Sequence, residues 1–216
     1  MRLPLAAVVG AALLASCGTV SGTGSGPVAS GPLGSAPSTS PGTPSTIVDG
    51  RLLPCPSSDA SPALAAGGLP DLTLPCLDPG AGAQQVRLAG LRGKPLVLSV
   101  WASWCEPCRA ESPDLARIAR DTAAAGVRFV GVDEQDRPDP ARSFAASAGT
   151  TYPHLVDADG TLLSSLRLVP SSGIPSTLVI DGAGHVAARV IGAVDATTFE
   201  RLVTSVAATG AAPAAS

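Results

Sequence analysis

Aromatic side chains are scarce in this chain, at 3% of 216 residues, and charged ones make up only 14%. The formal net charge is −3, so no basic field exists to hold a nucleic acid. The charge balance points to neither an acidic nor a basic substrate. No internal repeat is visible. Long apolar runs are missing as well: the first, LPLAAVVGAALLA, falls short of the roughly 20 residues that span a bilayer comfortably. Against this background one stretch stands out, WASWCEPCRAESP, Trp101–Pro113. It holds both tryptophans of the chain and two of its five cysteines.

The N-terminus reads as an address. Arg2 and the apolar run after it have the charged and hydrophobic regions of a secretory signal. The run ends in LASC, Leu14–Cys17, which resembles the lipobox of bacterial lipoproteins. The resemblance implies a signal peptide over 1–16 and a lipidated Cys17 on the outer face of the cytoplasmic membrane. Two acyl chains anchor stably, and that compartment permits disulfides. An ordinary signal peptide with a stray cysteine is the alternative. Residues 17–48 are almost entirely Gly, Ser, Pro and Thr without charge. They cannot offset their ordering entropy by burial and read as a flexible tether with a reach of roughly 30 Å.

A single domain is expected over 49–209, with its patterned core at about 69–206 and a flexible tail at 210–216. PLVLSVW, Pro95–Trp101, suits a strand buried on both faces. ESPDLARIARDTAAAG continues a helix that puts Leu115, Ile118 and Thr122 on one side and stops at Gly126. VRFVGVD is a second strand and DPARSFAASAG a second helix. STLVIDGAGHVAARVIG reads as two strands about a turn at Asp181–Gly184. DATTFERLVTSVAA is a closing helix capped by Asp195. The order β-α-β-α-β-β-α predicts an α/β fold with a mixed sheet.

Cys105 follows a strand and stands where a helix begins, with Pro107 in the first turn. Unpaired N–H groups and the helix dipole there favour thiolate over thiol. Cys108 lies one turn inward, within disulfide reach but less open to solvent. This spacing divides the work: Cys105 attacks a partner disulfide and Cys108 resolves the mixed disulfide. A static Cys105–Cys108 bond would restrict the unfolded chain little. A zinc site would need two more ligands, and Cys55 and Cys76 are 21 residues apart rather than a second C-x-x-C. A copper site of the Sco type would need a longer spacing and a distal His. No metal ligands are therefore assigned. Cys55 and Cys76 flank the domain's entry, with the other cysteines spoken for. A structural disulfide between them is expected, two free buried thiols being the alternative.

WCEPC between strand and helix resembles the thioredoxin family, and more narrowly the membrane-tethered TlpA/ResA-like thiol–disulfide oxidoreductases. LPDLTLPCL, VRLAGLRGKPLVLSVWASWCEPCRAESP, FVGVD, YPHLVDADG and GIPSTLVIDGAGHVAARVIGAV match that family's blocks in order, over about Leu69–Val206. The resemblance implies a thioredoxin-like fold with an N-terminal β extension and a cis Ile174–Pro175 bond in a loop that faces the cysteines and binds the substrate strand. Trp104 would join Ile174 and Pro175 in the substrate platform, while Trp101 packs under the helix. Thioredoxins proper carry a buried Asp six residues before the first cysteine, where this chain has Ser99. The TlpA/ResA-like proteins place a Glu where Glu111 stands, on the face of Cys108, and burial would raise its pKa into a range useful for proton exchange. A solvated helix Glu is the competing reading. Glu106 is expected to be exposed. His154 and His185 are expected to be structural or exposed, and GVDEQDRPDP to be a solvated acidic loop.

The expected protein is an extracytoplasmic, lipid-anchored, monomeric thiol–disulfide oxidoreductase. It needs no cofactor, acts on protein thiols and disulfides, and receives electrons from a membrane thiol carrier. A reductase is favoured, in the family's manner acting on apocytochrome c before haem attachment. The carboxylate of Glu106 beside Cys105, and that of Glu111 if ionised, oppose over-stabilisation of the thiolate. The alternatives are an oxidant that introduces disulfides and a metal-binding or adhesive lipoprotein.

Overall fold

The computed structural model describes residues 52–78, 80, 82–150, 152–166 and 173–210, all within one compact unit, Gly42–Ser216. The segments expected to be a signal peptide (1–16), a lipidated Cys17 with its linker (17–48) and a tail beyond Gly210 lie outside the described residues.

Five strands form the main sheet: β3 (Leu96–Trp101), β4 (Arg128–Glu134), β5 (His154–Asp157), β6 (Ser176–Ile180) and β7 (Val186–Ile191). Their spatial order is β5-β4-β3-β6-β7. β3 is parallel to β4 and antiparallel to β6, so the sheet is mixed. Ahead of it a short antiparallel hairpin, β1 (Thr73–Pro75) and β2 (Gln85–Arg87), forms the N-terminal extension. The α-helices among the described residues are α1 (Glu106–Thr122), α2 (Pro138–Ser147), α3 (Thr161–Ser165) and α4 (Ala196–Thr209).

All six residues of β3 are buried because both its faces are covered. Leu96, Leu98 and Val100 share one cluster with Leu74, Val86 and Leu88 of the extension and Leu162 and Leu163 of α3. Val97, on the opposite face, packs with Leu115 and Ile118 of α1 and Phe199, Val203 and Val206 of α4. α1 ends through a short 3-10 turn, after which Gly126 adopts φ 79°, a left-handed conformation that glycine takes without steric cost. Asp195 caps α4, its carboxylate accepting from the Thr198 N–H at 2.9 Å.

The predicted order omitted two elements. β5 is only four residues long and opens on a histidine, so it lacks the apolar run that marks a buried strand. It is placed by pairing with β4 and by a bridge from Cys76 to Leu155. α3 has only five residues; Asp157 ties its start by accepting from the N–H groups of Thr161 and Leu162. The solvated acidic loop also needs correcting: Asp133 and Glu134 are the buried end of β4.

Candidate active site

β3 delivers the chain into a tight turn at Ala102–Cys105, and α1 starts directly after it. Cys105 is the N-cap, and its Sγ accepts from the Cys108 N–H at 3.3 Å. Pro107 sits in the first turn, where a missing N–H costs nothing. Cys105 and Cys108 are joined by a disulfide with a Cα–Cα distance of 5.3 Å. Cys105 is 5% exposed and Cys108 1%, so the outer sulfur is the first of the pair. Glu106 is exposed.

The tryptophans divide. Trp104 is 61% exposed beside the cysteine, its indole N–H donating to the Gln135 carbonyl at 3.3 Å. Trp101 is buried in the same apolar cluster as Cys105 and Cys108. Its ring centroid lies 5.2 Å from Phe144 of α2 and 5.1 Å from His154. His154 is wholly buried and structural: its Nδ1 accepts from the Trp101 indole at 3.1 Å and its Nε2 meets the Thr150 hydroxyl at 2.9 Å. Burial holds its pKa down at about 3, so the ring is neutral. Gly131 makes room for this contact, since a Cβ there would stand 2.1 Å from His154 Nδ1 and 2.8 Å from Trp101 Nε1. His185 is exposed, 3.6 Å from Asp181.

Glu111 lines a small cleft with Ser99, Trp101, Cys108, Ser112 and His154. It is buried; its Oε2 accepts from the Val194 N–H at 2.9 Å, while Oε1 has no partner among the described residues. Burial pushes its pKa up to about 7, against the lowering effect of the Val194 N–H. A solvated helix face is therefore not its environment. Ser99 is buried in the position expected of it.

The Ile174–Pro175 bond is cis. Ile174 is partly buried and packs against the cluster that holds the two cysteines, so the loop and the pair share one surface. Cys55 and Cys76 are bonded to each other across 21 residues, with Cα atoms 6.0 Å apart. Both are in the core, and neither sulfur is available as a metal ligand.

The AhpC/TSA family model matches residues 67–189. That stretch holds the hairpin, the cysteine turn, four strands of the main sheet and the first part of β7. The chain belongs to the AhpC/TSA family. Within the family it is similar to the thiol:disulfide interchange protein HelX of Rhodobacter capsulatus, 38% identical over 46% of this chain and 53% of that one. It is 34% identical to the thiol:disulfide interchange protein DsbE of Pseudomonas aeruginosa, over 64% and 72% of the two chains. It is 30% identical to the thiol–disulfide oxidoreductase ResA of Bacillus subtilis, over 50% and 59%. The chain thus spans between about half and three quarters of the length of these relatives. Among solved structures, a secreted thiol–disulfide isomerase from Corynebacterium glutamicum superposes with a TM-score of 0.59 at 30% identity, covering 65% of this chain and 85% of that one. The described domain has a thioredoxin-like fold and is similar in sequence to these thiol–disulfide oxidoreductases.

The signal for Cys105 and Cys108 was readable from their spacing at a helix start; spacing put Glu111 on the face of Cys108, and its acid–base role came from the family resemblance. The buried Asp133 and the half-buried Asp136 were missed; the one sequence signal was that Asp133 follows the apolar run of a strand.

Proposed function

We propose that the protein is an extracytoplasmic oxidoreductase of protein disulfides, working as a reductase, with cytochrome c maturation as its setting. The observation that carries the reading is the Cys105–Cys108 pair at the N-terminus of α1, with Glu111 buried in the cleft that also touches Cys108. In the reduced protein the Cys105 thiolate, facing the Cys108 N–H, attacks one sulfur of a substrate disulfide. The substrate S–S bond breaks and one substrate sulfur leaves as a thiolate. Cys108 then passes its proton to the Glu111 carboxylate and attacks Cys105 Sγ. The mixed disulfide breaks, the second substrate sulfur leaves, and the Cys105–Cys108 bond forms. Two electrons have passed to the substrate, and its two thiolates take up protons from Glu111 and solvent. A membrane dithiol carrier returns the protein to its reduced form.

Trp104, Ile174 and Pro175 form the surface that receives the substrate strand, and Cys55–Cys76 is structural. The lipid on Cys17, the 17–48 tether and a monomeric state complete the proposal. They place a domain over 49–209 at the outer face of the membrane, where the carrier is found.

The test is trapping. Cys108→Ser accumulates mixed disulfides with substrate proteins and Cys105→Ser does not; insulin reduction is lost in both. Full insulin reduction by Cys105→Ser contradicts the mechanism. Direction is read separately, by alkylating the protein in intact cells: a reductase is found mostly as dithiol. A mostly oxidised pair that rapidly oxidises reduced unfolded protein makes it an oxidant instead.

A further inference from the structure

At the C-terminal end of β4, Asp133 stands opposite Trp101 in the parallel ladder with β3 and is 0% exposed. Among the described residues no hydroxyl, amide or cation reaches either of its carboxylate oxygens. Its hydrogen-bonding neighbour is another acid, Asp136. Two ionised carboxylates are acceptors only, so they cannot bond to each other unless one carries a proton. A buried pair of bare like charges would also be costly.

The surroundings decide which oxygen holds that proton. Asp136 is only half-buried. Its Oδ2 accepts from the Ser103 N–H at 2.6 Å and its Oδ1 from the Arg137 N–H at 2.7 Å. Partial burial acts the other way, but these N–H groups hold Asp136 below the usual carboxylate range. Asp133 receives no such donors, and burial together with the Asp136 charge pushes it up to about 8. The proton sits on Asp133 and is donated to Asp136.

What Asp136 grips is the cysteine turn. Ser103 lies two residues before Cys105, and its carbonyl accepts from the Arg109 guanidinium at 3.2 Å. The next residue, Trp104, donates to the Gln135 carbonyl. The loop from β4 to α2 therefore holds the turn at two consecutive residues. We propose that Asp133 and Asp136 are an acid–carboxylate pair sharing one proton, and that the pair, through the Ser103 N–H, positions the turn that carries Trp104 and Cys105. The consequence for thiol chemistry rests on the oxidoreductase reading; the shared proton does not.

The other ionisable groups nearby are accounted for. α1 contributes Arg109, which is held by Ser103 and lies 5.3 Å over the Phe144 ring. The start of α2 contributes Arg137 and Asp139, the latter paired with Arg142 at 3.0 Å. Glu134 has its carboxylate near Gly160, and Asp157 of β5 is taken by Thr161 and Leu162. β3 contributes none. The pair thus carries one negative charge at neutral pH and gains a second above about pH 8. That second charge, beside the turn, opposes formation of the Cys105 thiolate.

Carboxyl-carbon NMR titration of the oxidised wild-type protein reads the pair without interference from thiols. Asp133 titrates above neutrality, and Asp133 ionised at mildly acidic pH overturns the shared proton. Amide exchange at Ser103 reads the grip. Asp136→Ala speeds it about tenfold or more, the loss of a charge-assisted hydrogen bond. Asp133→Asn, whose amide still donates to Asp136, leaves it slow. Unchanged exchange in Asp136→Ala overturns the positioning role. Alkylation of Cys105 in the reduced protein then reads the charge: above pH 8 the wild type falls behind Asp133→Asn, and superimposable profiles overturn the coupling. Should a variant not fold, the wild-type titration decides. If the NMR results hold while the wild type fails to reduce insulin, the oxidoreductase reading alone has failed.

Discussion

The two disulfides of this domain are the same bond in opposite surroundings. Cys105–Cys108 spans three residues at a helix N-terminus. It has an N–H aimed at its outer sulfur, an exposed indole next to it, and a buried carboxylic acid in the cleft behind its inner one. Cys55–Cys76 spans 21 residues and lies in the cluster formed by the N-terminal extension and the sheet. Cys55 Sγ lies 3.4 Å from the His154 carbonyl oxygen. The first bond closes too small a loop to restrain the unfolded chain much, but every neighbour suits attack and proton transfer. The second is buried in the core, and the longer loop makes its bond a restraint on folding. Environment and loop length, rather than the cysteines themselves, separate a reagent from a clasp.

Removing the clasp should have the largest effect on stability. Replacing Cys55 and Cys76 together by Ala should lower it by about 3 kcal/mol in the chain-entropy account, while the redox equilibrium of Cys105–Cys108 stays put. Denaturant unfolding with a parallel glutathione titration checks both. A stability loss below experimental error would mean the bond restrains nothing.

Glu111→Gln sharpens the other side of the comparison. The amide keeps the shape but cannot take the Cys108 proton, so the resolving step should slow by about a hundredfold, the low end for a general base. In the wild type the rate should rise through about pH 7 as Glu111 ionises and becomes an acceptor; in the variant that inflection should vanish. An unchanged pH profile would leave Glu111 a packing residue.

A change spread over several pH units is expected in stability. Glu111 and Glu134, each raised to about 7, and Asp133, raised to about 8, all owe their shifts mainly to burial and belong to the active-site end of the molecule rather than to the clasp. Each folded-state pKa lies above its unfolded value, so the folded chain binds more protons than the unfolded one between the ordinary carboxylate range and neutrality. Stability from these groups is therefore present at low pH and lost as pH rises through about 7 to 8. His154, held down at about 3, works the opposite way below its unfolded pKa of about 6.5, but it is one group against three. Melting temperature should fall between about pH 5 and about pH 8.5. A rise over that interval would place these acids in solvent.

The sequence carried most of this comparison for local reasons. Cys105, Pro107, Cys108 and Glu111 are within seven residues, so helix geometry places them together, and the family resemblance supplied the role of Glu111. Asp195 as a cap and Gly126 as a stop are likewise local. β5 and α3 were illegible because four and five residues cannot express a period; they exist because β4 and Asp157 hold them. Asp133 and Asp136 looked like a charged loop for a similar reason. Asp133 is set beside Trp101 and Asp136 is held by Ser103, some 30 residues away in the chain, and no periodicity records those contacts.

The difference between reagent and clasp can be measured in a single experiment: equilibrate the folded protein across a series of dithiol–disulfide buffers, quench with an alkylating agent, and quantify both bonds by peptide mass spectrometry. Cys105–Cys108 should pass from disulfide to dithiol over the range set by the buffer while Cys55–Cys76 remains bonded throughout. Reduction of Cys55–Cys76 first, or of both bonds together in the folded protein, would contradict the account.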